Sequence, residues 1–456
     1  MALAATRPAL RGIRKLFSRL DGSWRGLVVG ALVGALGGYA VEAFRALLYA
    51  LEGVLVGAHD GHLVAASQQL TVEPRLLAPA IGGAAAGLLL WLAERHRRPT
   101  PSAHHGDYIE AVTIGQGRLD LRDGALKVVA SLLVVSTGGA VGREGAMVLL
   151  SAMLASAVGR LFVGVVDLRL IVSCGAAAGL AAAYHAPLAG AVFVAEILLG
   201  SLALSQLGPV LMAAVMAYGV SVSLSGNAVL FPLARLPDIA APQIMLMLLL
   251  GVIGGWAGAG FLRWLELTHK VFTRLKMPLP LAFAVGGLIV GLLSLWRPEV
   301  WGNGASSVEQ QLTASGSWQA VGLVLALKLL AIGATTGSGA PGGVFTPTLF
   351  VGAACGALAA AVLQALGLTQ LVEPVYAVLG MAILLAATTH APVMAALMVF
   401  EMTGQYELLA MMLPACVVAA LISRRLHSLS VYGLNGSAAD PPGNVTPRVG
   451  AGMPGQ

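Results

Sequence analysis

The chain alternates between long runs of apolar residues and short polar or glycine-rich interruptions. A helix that crosses the hydrocarbon core of a bilayer needs about 20 apolar residues. Apolar segments occur at 26–57, 77–93, 125–137, 145–163, 168–184, 187–204, 207–225, 243–264, 279–297, 319–335, 346–366, 374–388, 391–403 and 408–423. The pattern predicts an all-α polytopic membrane protein. Several of its helices, such as 125–137 and 391–403, are too short to span the bilayer alone.

The apolar runs break at glycine and proline clusters: Gly138 to Gly145, Ala186-Pro187, Gly337 to Pro347 and Ala391-Pro392. Helix breaks at membrane depth are tolerated only where protein or a water-filled cavity satisfies the freed backbone groups. In transporters such breaks bind ions, so these four interruptions are the candidate functional region.

The breaks occur in two copies. His185-Ala186-Pro187 followed by Glu196 matches His390-Ala391-Pro392 followed by Glu401, each 205 positions later (185 to 390 and 196 to 401). Upstream, Lys127 and Gly142 match Lys328 and Gly343 at an offset of 201 (127 to 328 and 142 to 343). The two halves of the chain therefore form an internal repeat, and repeats in transporters often have inverted topology.

Composition supports a membrane protein and excludes other classes. The chain has 456 residues, of which 57% are hydrophobic and 11% charged, whereas soluble domains average about 45–50% and about 25%. A soluble enzyme, a nucleic-acid binder and a disordered chain are excluded as classes. The three cysteines, Cys174, Cys355 and Cys416, all lie in apolar stretches and offer no metal-ligand spacing, so neither a metal nor another cofactor is expected.

The net charge of +6 reflects basic residues at the ends of apolar segments rather than a nucleic-acid surface. Basic clusters lie in the first 25 residues, at Arg95 to Arg98 and at Arg424-Arg425. The positive-inside rule places such clusters in the cytoplasm, which predicts that both termini are cytoplasmic. The expected organisation is a basic N-terminal helix (1–25), a first membrane repeat (26–226), a second membrane repeat (227–433) and a disordered tail (434–456).

The glycine-rich breaks suggest anion binding by the backbone. Gly138 to Ala146 opens one apolar helix, and Gly342 to Pro347 opens its counterpart in the second repeat. The N-terminus of a helix presents unpaired N–H groups and a partial positive charge, which together make an anion site. Two such termini would hold a small anion weakly enough for it to leave again.

Glu144 lies within the first break, and its carboxylate would compete with an anion for the same N–H groups. Protonation would release it, which makes Glu144 a candidate gate and proton carrier. The structural alternative is a first-turn glutamate stabilised by the helix dipole, or an ion pair with Arg143.

The other repeated charges favour structural roles. Glu196 and Glu401 are interpreted as anchors at helix ends, and Lys127 and Lys328 as snorkelling or paired lysines.

At these residues the chain resembles the CLC family of chloride channels and chloride/proton antiporters. The family's GREGP signature reads here as Gly142-Arg143-Glu144-Gly145-Ala146, and its GxFxP signature as Gly343-Val344-Phe345-Thr346-Pro347. The similarity runs from about residue 26 to 433. Segments such as Trp301-Gly302-Asn303-Gly304 resemble the ClcB-like bacterial branch of that family.

The resemblance implies a homodimer in the lipid of the bacterial inner membrane, with one chloride pathway per subunit and an inverted repeat of tilted, broken helices. It makes Glu144 the gate, and it implies that the N–H groups of Arg143, Glu144, Gly145, Val344, Phe345 and Thr346 face the anion. The Tyr432 hydroxyl would contribute at the inner end. A role as an electrical shunt under acid stress is also implied.

Two positions depart from the family. The first signature, GSGIP, is degenerate at Ala103-His104-His105-Gly106-Asp107, with His104 at the anion-contacting serine. The internal proton-carrying glutamate of the antiporters aligns with Ile197, which cannot carry a proton. We therefore expect passive chloride conduction or loosely coupled exchange.

Three other readings stay open. The first is proton-coupled chloride antiport. The second is transport of another anion, such as fluoride or nitrate. The third is an intramembrane serine protease, for which Ser338 in Gly337-Ser338-Gly339 and His390 would supply the minimum dyad.

Overall fold

A computed structural model describes residues 21–58, 62–96, 107–113, 115–160, 166–200, 204–226, 229–233, 241–313, 317–367 and 372–437. The α-helices are α1 (Gly22–Val56), α2 (Leu63–Gln69), α3 (Val72–Arg95), α4 (Tyr108–Thr113), α5 (Leu121–Ser136), α6 (Glu144–Gly159), α7 (Leu168–Tyr184), α8 (Pro187–Phe193), α9 (Leu204–Ser225), α10 (Ala241–Arg274), α11 (Leu279–Ser294), α12 (Ala305–Thr313), α13 (Trp318–Gly337), α14 (Phe345–Ala365), α15 (Glu373–Thr389), α16 (Pro392–Thr403), α17 (Tyr406–Leu426) and α18 (Val431–Ser437). A π-helical turn, Val194–Leu199, continues α8, and a 3₁₀ turn, Pro298–Val300, precedes α12.

The helix lengths divide the molecule into spanning and partial helices, as the apolar pattern predicts. Within the described residues, seven helices are long and apolar enough to cross a membrane. Others are shorter apolar helices, among them α6, α7, α15 and α16. Most residues of these short helices are buried in the protein, so the backbone groups at their ends can bond to other parts of the chain.

The boundaries at both ends of the chain differ from the sequence prediction. Residues 22–25 are the first turn of α1 and not the end of a separate N-terminal helix, and residues 1–20 lie outside the described residues. At the other end, α18 continues to Ser437, so residues 434–437 are helical where a disordered tail was expected. Residues 438–456 lie outside the described part of the chain.

Small residues bring the helices into close contact. A Cβ atom at Gly83 of α3 would lie 2.5 Å from the carbonyl oxygen of Phe283 in α11, and one at Gly87 would lie 2.7 Å from that of Leu279. In lipid, helix association depends on such close backbone packing rather than on the hydrophobic effect. The high glycine content therefore sets the spacing between helices.

The two His-Ala-Pro segments have the same backbone conformation. His185 ends α7 at φ 55° and His390 ends α15 at φ 58°, both left-handed. The alanine that follows has φ −125° in each copy, and the proline begins the next helix. Proline suits the first helical position because it needs no N–H acceptor there. The sequence repeat is therefore also a repeat of structure at these turns.

Candidate functional site

The two glycine-rich breaks meet directly. The N–H of Gly142 donates to the carbonyl of Gly343 at 2.6 Å, and the N–H of Gly343 donates to that of Gly142 at 2.7 Å. The bridge is antiparallel and joins two equivalent residues, as a two-fold relation between inverted repeats requires. A Cβ at Gly343 would lie 3.1 Å from the nitrogen of Gly145, so side chains at these glycines would push the breaks apart.

A helix begins immediately after each break, α6 at Glu144 and α14 at Phe345. The first N–H groups of an α-helix have no acceptor within the helix, because the carbonyl four residues earlier lies before the helix begins. Within the described residues, no backbone carbonyl accepts from the N–H groups of Arg143, Glu144, Gly145, Val344, Phe345 and Thr346. The meeting of the breaks therefore presents two adjacent sets of free donors, one from each half of the chain.

The Glu144 side chain crosses from the first break to the second. It is 5% exposed, and its Oε1 accepts hydrogen bonds from Thr346 Oγ1 at 2.5 Å and from Asn303 Nδ2 at 3.2 Å. Oε2 is buried and has no hydrogen-bond partner among the described residues. The expected competition for backbone N–H groups is thus not what this geometry shows, because the side chain bends toward second-repeat side chains that supply its donors.

Arg143 turns away from the carboxylate. Its guanidinium donates to the Tyr49 hydroxyl at 3.3 Å and lies 5.5 Å from the centre of the Tyr49 ring. No ion pair between Arg143 and Glu144 forms within 4.0 Å among the described residues, so that structural alternative for Glu144 is not realised. The backbone N–H of Arg143 therefore lies at the start of α6, whereas its guanidinium group contacts Tyr49 of α1.

A chain of hydroxyl groups leads from Glu144 to α7. The Tyr184 hydroxyl lies 2.9 Å from Thr346 Oγ1. Because Thr346 donates its single hydroxyl proton to Glu144, Tyr184 must donate to Thr346. The Tyr184 ring lies 5.0 Å from that of Phe345. Sequence reasoning missed Tyr184, although its position directly before His185-Ala186-Pro187 places it at the end of a helix that breaks beside the site.

Tyr432 lies on α18, and its ring packs edge to face on that of Phe193 at 5.6 Å. Phe193 is the last residue of α8, which follows the His-Ala-Pro turn directly after Tyr184, so the Tyr432 ring packs beside this break. His104 and the rest of 103–106 lie outside the described residues. Among the residues that are described, no group of His, Cys, Asp or Glu is arranged to hold a metal.

Glu196 and Glu401 anchor helix ends, as predicted, and they do so across the repeats. Glu401 accepts from the N–H groups of Leu188 at 3.0 Å and Ala189 at 2.8 Å, at the start of α8. Glu196 accepts from Val393 at 3.2 Å and Met394 at 2.8 Å, at the start of α16. Each glutamate therefore caps the His-Ala-Pro helix of the other half.

Ser338 and His390 do not form a catalytic dyad. Ser338 Oγ donates to the Thr335 carbonyl of α13 at 2.7 Å, and His390 Nε2 has no hydrogen-bond partner within the part of the chain that the structure describes. The geometry therefore offers no activated serine nucleophile here, which argues against the protease reading.

This fold and site define a polytopic membrane transport protein in which two half-helices from opposite repeats meet beside one buried carboxylate. A family model described as voltage-gated chloride channel matches residues 85–424. The chain belongs to this CLC family, whose members are channels and transporters rather than enzymes.

Curated relatives cover nearly the whole chain. Proteins named voltage-gated ClC-type chloride channel ClcB, from Escherichia coli O17:K52:H18 and Escherichia coli O157:H7, are 44% identical over 414 residues, which is 90% of this chain and 98% of each relative.

Among solved structures, that of a slow cyanobacterial Cl⁻/H⁺ antiporter has a TM-score of 0.75 at 25% identity, over 92% of this chain and 99% of the other. A CLC-type fluoride/proton antiporter has a TM-score of 0.71 at 24% identity, over 90% and 96%, respectively. The latter likeness concerns the fold alone.

Proposed function

We propose that this protein moves chloride across the bacterial inner membrane, along a path that passes between the starts of α6 and α14 and is gated by Glu144. The observation that carries the proposal is the Glu144 carboxylate, buried at the meeting of the two breaks and bound to Thr346 of the opposite repeat. The similarity to proteins named as chloride channels is the reason for proposing chloride as the transported ion.

The anion would be held by neutral donors. The proposed set is the free N–H groups of Arg143, Glu144, Gly145, Val344, Phe345 and Thr346, with hydroxyl groups of Thr346 and Tyr432. Partial charges at two helix starts attract an anion without the strong attraction of an ammonium or guanidinium beside it. Movement or protonation of Glu144 frees the Thr346 hydroxyl, which can then donate to the anion instead. His104 is proposed as a further contact from the first-signature position.

Transport is proposed to be passive or loosely coupled to protons. Ile197 replaces the antiporters' internal glutamate, and the neighbouring Glu196 uses both carboxylate oxygens to cap α16. A proton taken up by Glu196 would weaken that cap, so this residue is a poor substitute carrier. The alternative is proton-coupled exchange of chloride, as the name of the similar cyanobacterial antiporter indicates for that protein.

The proposed setting follows the family. The protein would be a homodimer in the lipid of the inner membrane with both termini in the cytoplasm, and residues 26–226 and 227–433 would form its two repeats. Chemical cross-linking in native membranes tests the dimer, and cysteine labelling from either side of the membrane tests the orientation of the termini.

The decisive experiment measures chloride and proton flux together in proteoliposomes for the wild type, Glu144→Gln and the exposed control Glu407→Gln. We expect chloride flux in the wild type with little proton movement, faster and pH-independent flux in Glu144→Gln, and wild-type behaviour in Glu407→Gln. Uphill proton movement on a chloride gradient would overturn passive conduction. Unchanged pH dependence in Glu144→Gln would remove Glu144 from the gate. Parallel assays with fluoride and nitrate test the selectivity.

A further inference from the structure

The loop between the 3₁₀ turn and α12 contacts Glu144. Asn303 of this loop donates through Nδ2 to Glu144 Oε1 at 3.2 Å, beside the Thr346 bond on the same oxygen. None of the three CLC signatures includes Asn303, so the role of this side chain must be derived from its own contacts.

The orientation of the Asn303 amide is fixed by both of its neighbours. Its Oδ1 accepts from the N–H of Ala305 at 3.2 Å. Turning the amide over would set its oxygen against the Glu144 carboxylate and its NH₂ group against an N–H donor, leaving two repulsive contacts. Asn303 therefore presents a donor, and not an acceptor, to the carboxylate.

A buried lysine shapes the loop that carries Asn303. Lys328 of α13 is fully buried, and its ammonium group faces four successive carbonyl oxygens of the 3₁₀ turn and the loop that follows it. These belong to Glu299 at 3.2 Å, Val300 at 2.8 Å, Trp301 at 3.0 Å and Gly302 at 2.8 Å. No carboxylate of the described residues lies within 4.0 Å of this ammonium. An ammonium has three protons, so the backbone of the loop is its principal partner.

The loop is also attached to the first break. The N–H of Gly302 donates to the carbonyl of Gly138 at 3.1 Å, and the fully buried Trp301 ring lies against Gly138, where a Cβ atom would come within 2.5 Å of it. Gly302 and Gly304 flank Asn303 with φ angles of 66° and 93°, which favour glycine. These contacts hold Asn303 between the two repeats.

We propose that Asn303 is a positioning residue for the gate, and that Lys328 acts through the loop backbone to keep Asn303 there. The inference rests on the proposed function of Glu144. Asn303 and Thr346 together hold the carboxylate in the path proposed for the anion, beside the free backbone donors at the helix starts. Loss of the Asn303 amide loosens the gate without changing those backbone donors.

The test is a double-mutant cycle in proteoliposomes at neutral pH. Asn303→Ala and Asn303→Leu are measured in the wild-type background and in Glu144→Ala, with the exposed Ser306→Ala of α12 as the control. The loss of a hydrogen bond to a charged group changes an equilibrium constant about tenfold. We therefore expect both variants to raise chloride flux about tenfold over the wild type. In Glu144→Ala the same substitutions should change flux less than twofold, because the group that Asn303 holds is gone.

Two results would overturn the positioning role: equal effects in the two backgrounds, or no effect in the wild-type background. Equal effects would place Asn303 in the ion path or in the folding of the loop instead. Failure of the proposed function itself would look different, since Glu144→Ala alone would then leave flux unchanged. Lys328→Met tests the supporting step: its effect on flux should disappear once Asn303 is already alanine, and an additive effect would exclude Lys328 from this role.

Discussion

Thr346→Val tests whether the side-chain contact between the repeats keeps the gate closed. The substitution keeps the shape of the side chain and the backbone N–H but removes the hydroxyl that donates to Glu144 at 2.5 Å. A hydrogen bond to a charged group contributes about 2 kcal/mol, which is about thirtyfold in the ratio of open to closed gate. Tyr184→Phe keeps the hydrogen bond from Thr346 to Glu144 and removes only the neutral Tyr184 hydroxyl that donates to Thr346. We expect this loss to cost about 1 kcal/mol, which is about fivefold in the same ratio of open to closed gate.

The assay is chloride efflux from proteoliposomes, with potassium made permeable by an ionophore so that charge does not limit the rate. Thr346→Val should be faster than Tyr184→Phe, and both should be faster than the wild type. Because the Thr346 hydroxyl is also proposed to meet the anion, each substitution is repeated in Glu144→Ala, where any remaining change measures that second role. If Glu144→Gln is faster than the wild type but efflux of Thr346→Val stays within twofold of the wild type, the hydrogen bond from Thr346 to Glu144 does not keep the gate closed.

Three further predictions concern the surroundings of the gate. Glu401→Ala removes the acceptor of two N–H groups at the start of α8 and should destabilise the protein by about 2 kcal/mol, seen as a lower melting temperature in detergent, whereas the exposed Glu309→Ala should melt as the wild type does. Ile197→Glu should increase proton movement per chloride in the flux assay, and an unchanged ratio would show that a carboxylate at this position is insufficient for coupling. Ser338→Ala should retain chloride flux, and a serine-reactive probe should not label Ser338; specific labelling would revive the protease reading.

The apolar pattern predicted the helices well because lipid imposes a strict requirement on composition and length. The segment 168–184 coincides with α7, and 346–366 lies within a residue of α14 at each end. The short helices α2, α4, α12 and α18 were not predicted, since their sequences are mixed in polarity. The predicted segment 187–204 is too long because Gly200, at φ 62°, ends the π-helical turn after Leu199.

The site was predictable where it depends on local backbone and not where it depends on contacts between distant side chains. The two glycine clusters and the two His-Ala-Pro turns identified all four helix breaks, because the backbone conformation of each break is set by a few adjacent residues. The cross-repeat caps of Glu196 and Glu401 needed the three-dimensional pairing of the halves. The contacts of Asn303 with Glu144 and of Tyr184 with Thr346 likewise join residues 159 and 162 positions apart along the chain, which no local pattern encodes.

The central claim is that an anion binds between the starts of α6 and α14 when Glu144 does not hold the gate closed. Anomalous diffraction from crystals of Glu144→Gln grown with bromide in place of chloride tests it most directly. We expect a bromide peak within hydrogen-bonding distance of the N–H groups of Gly145 or Phe345, beside the Thr346 hydroxyl. Bromide bound elsewhere in the membrane region, with no peak at these helix starts, would contradict it.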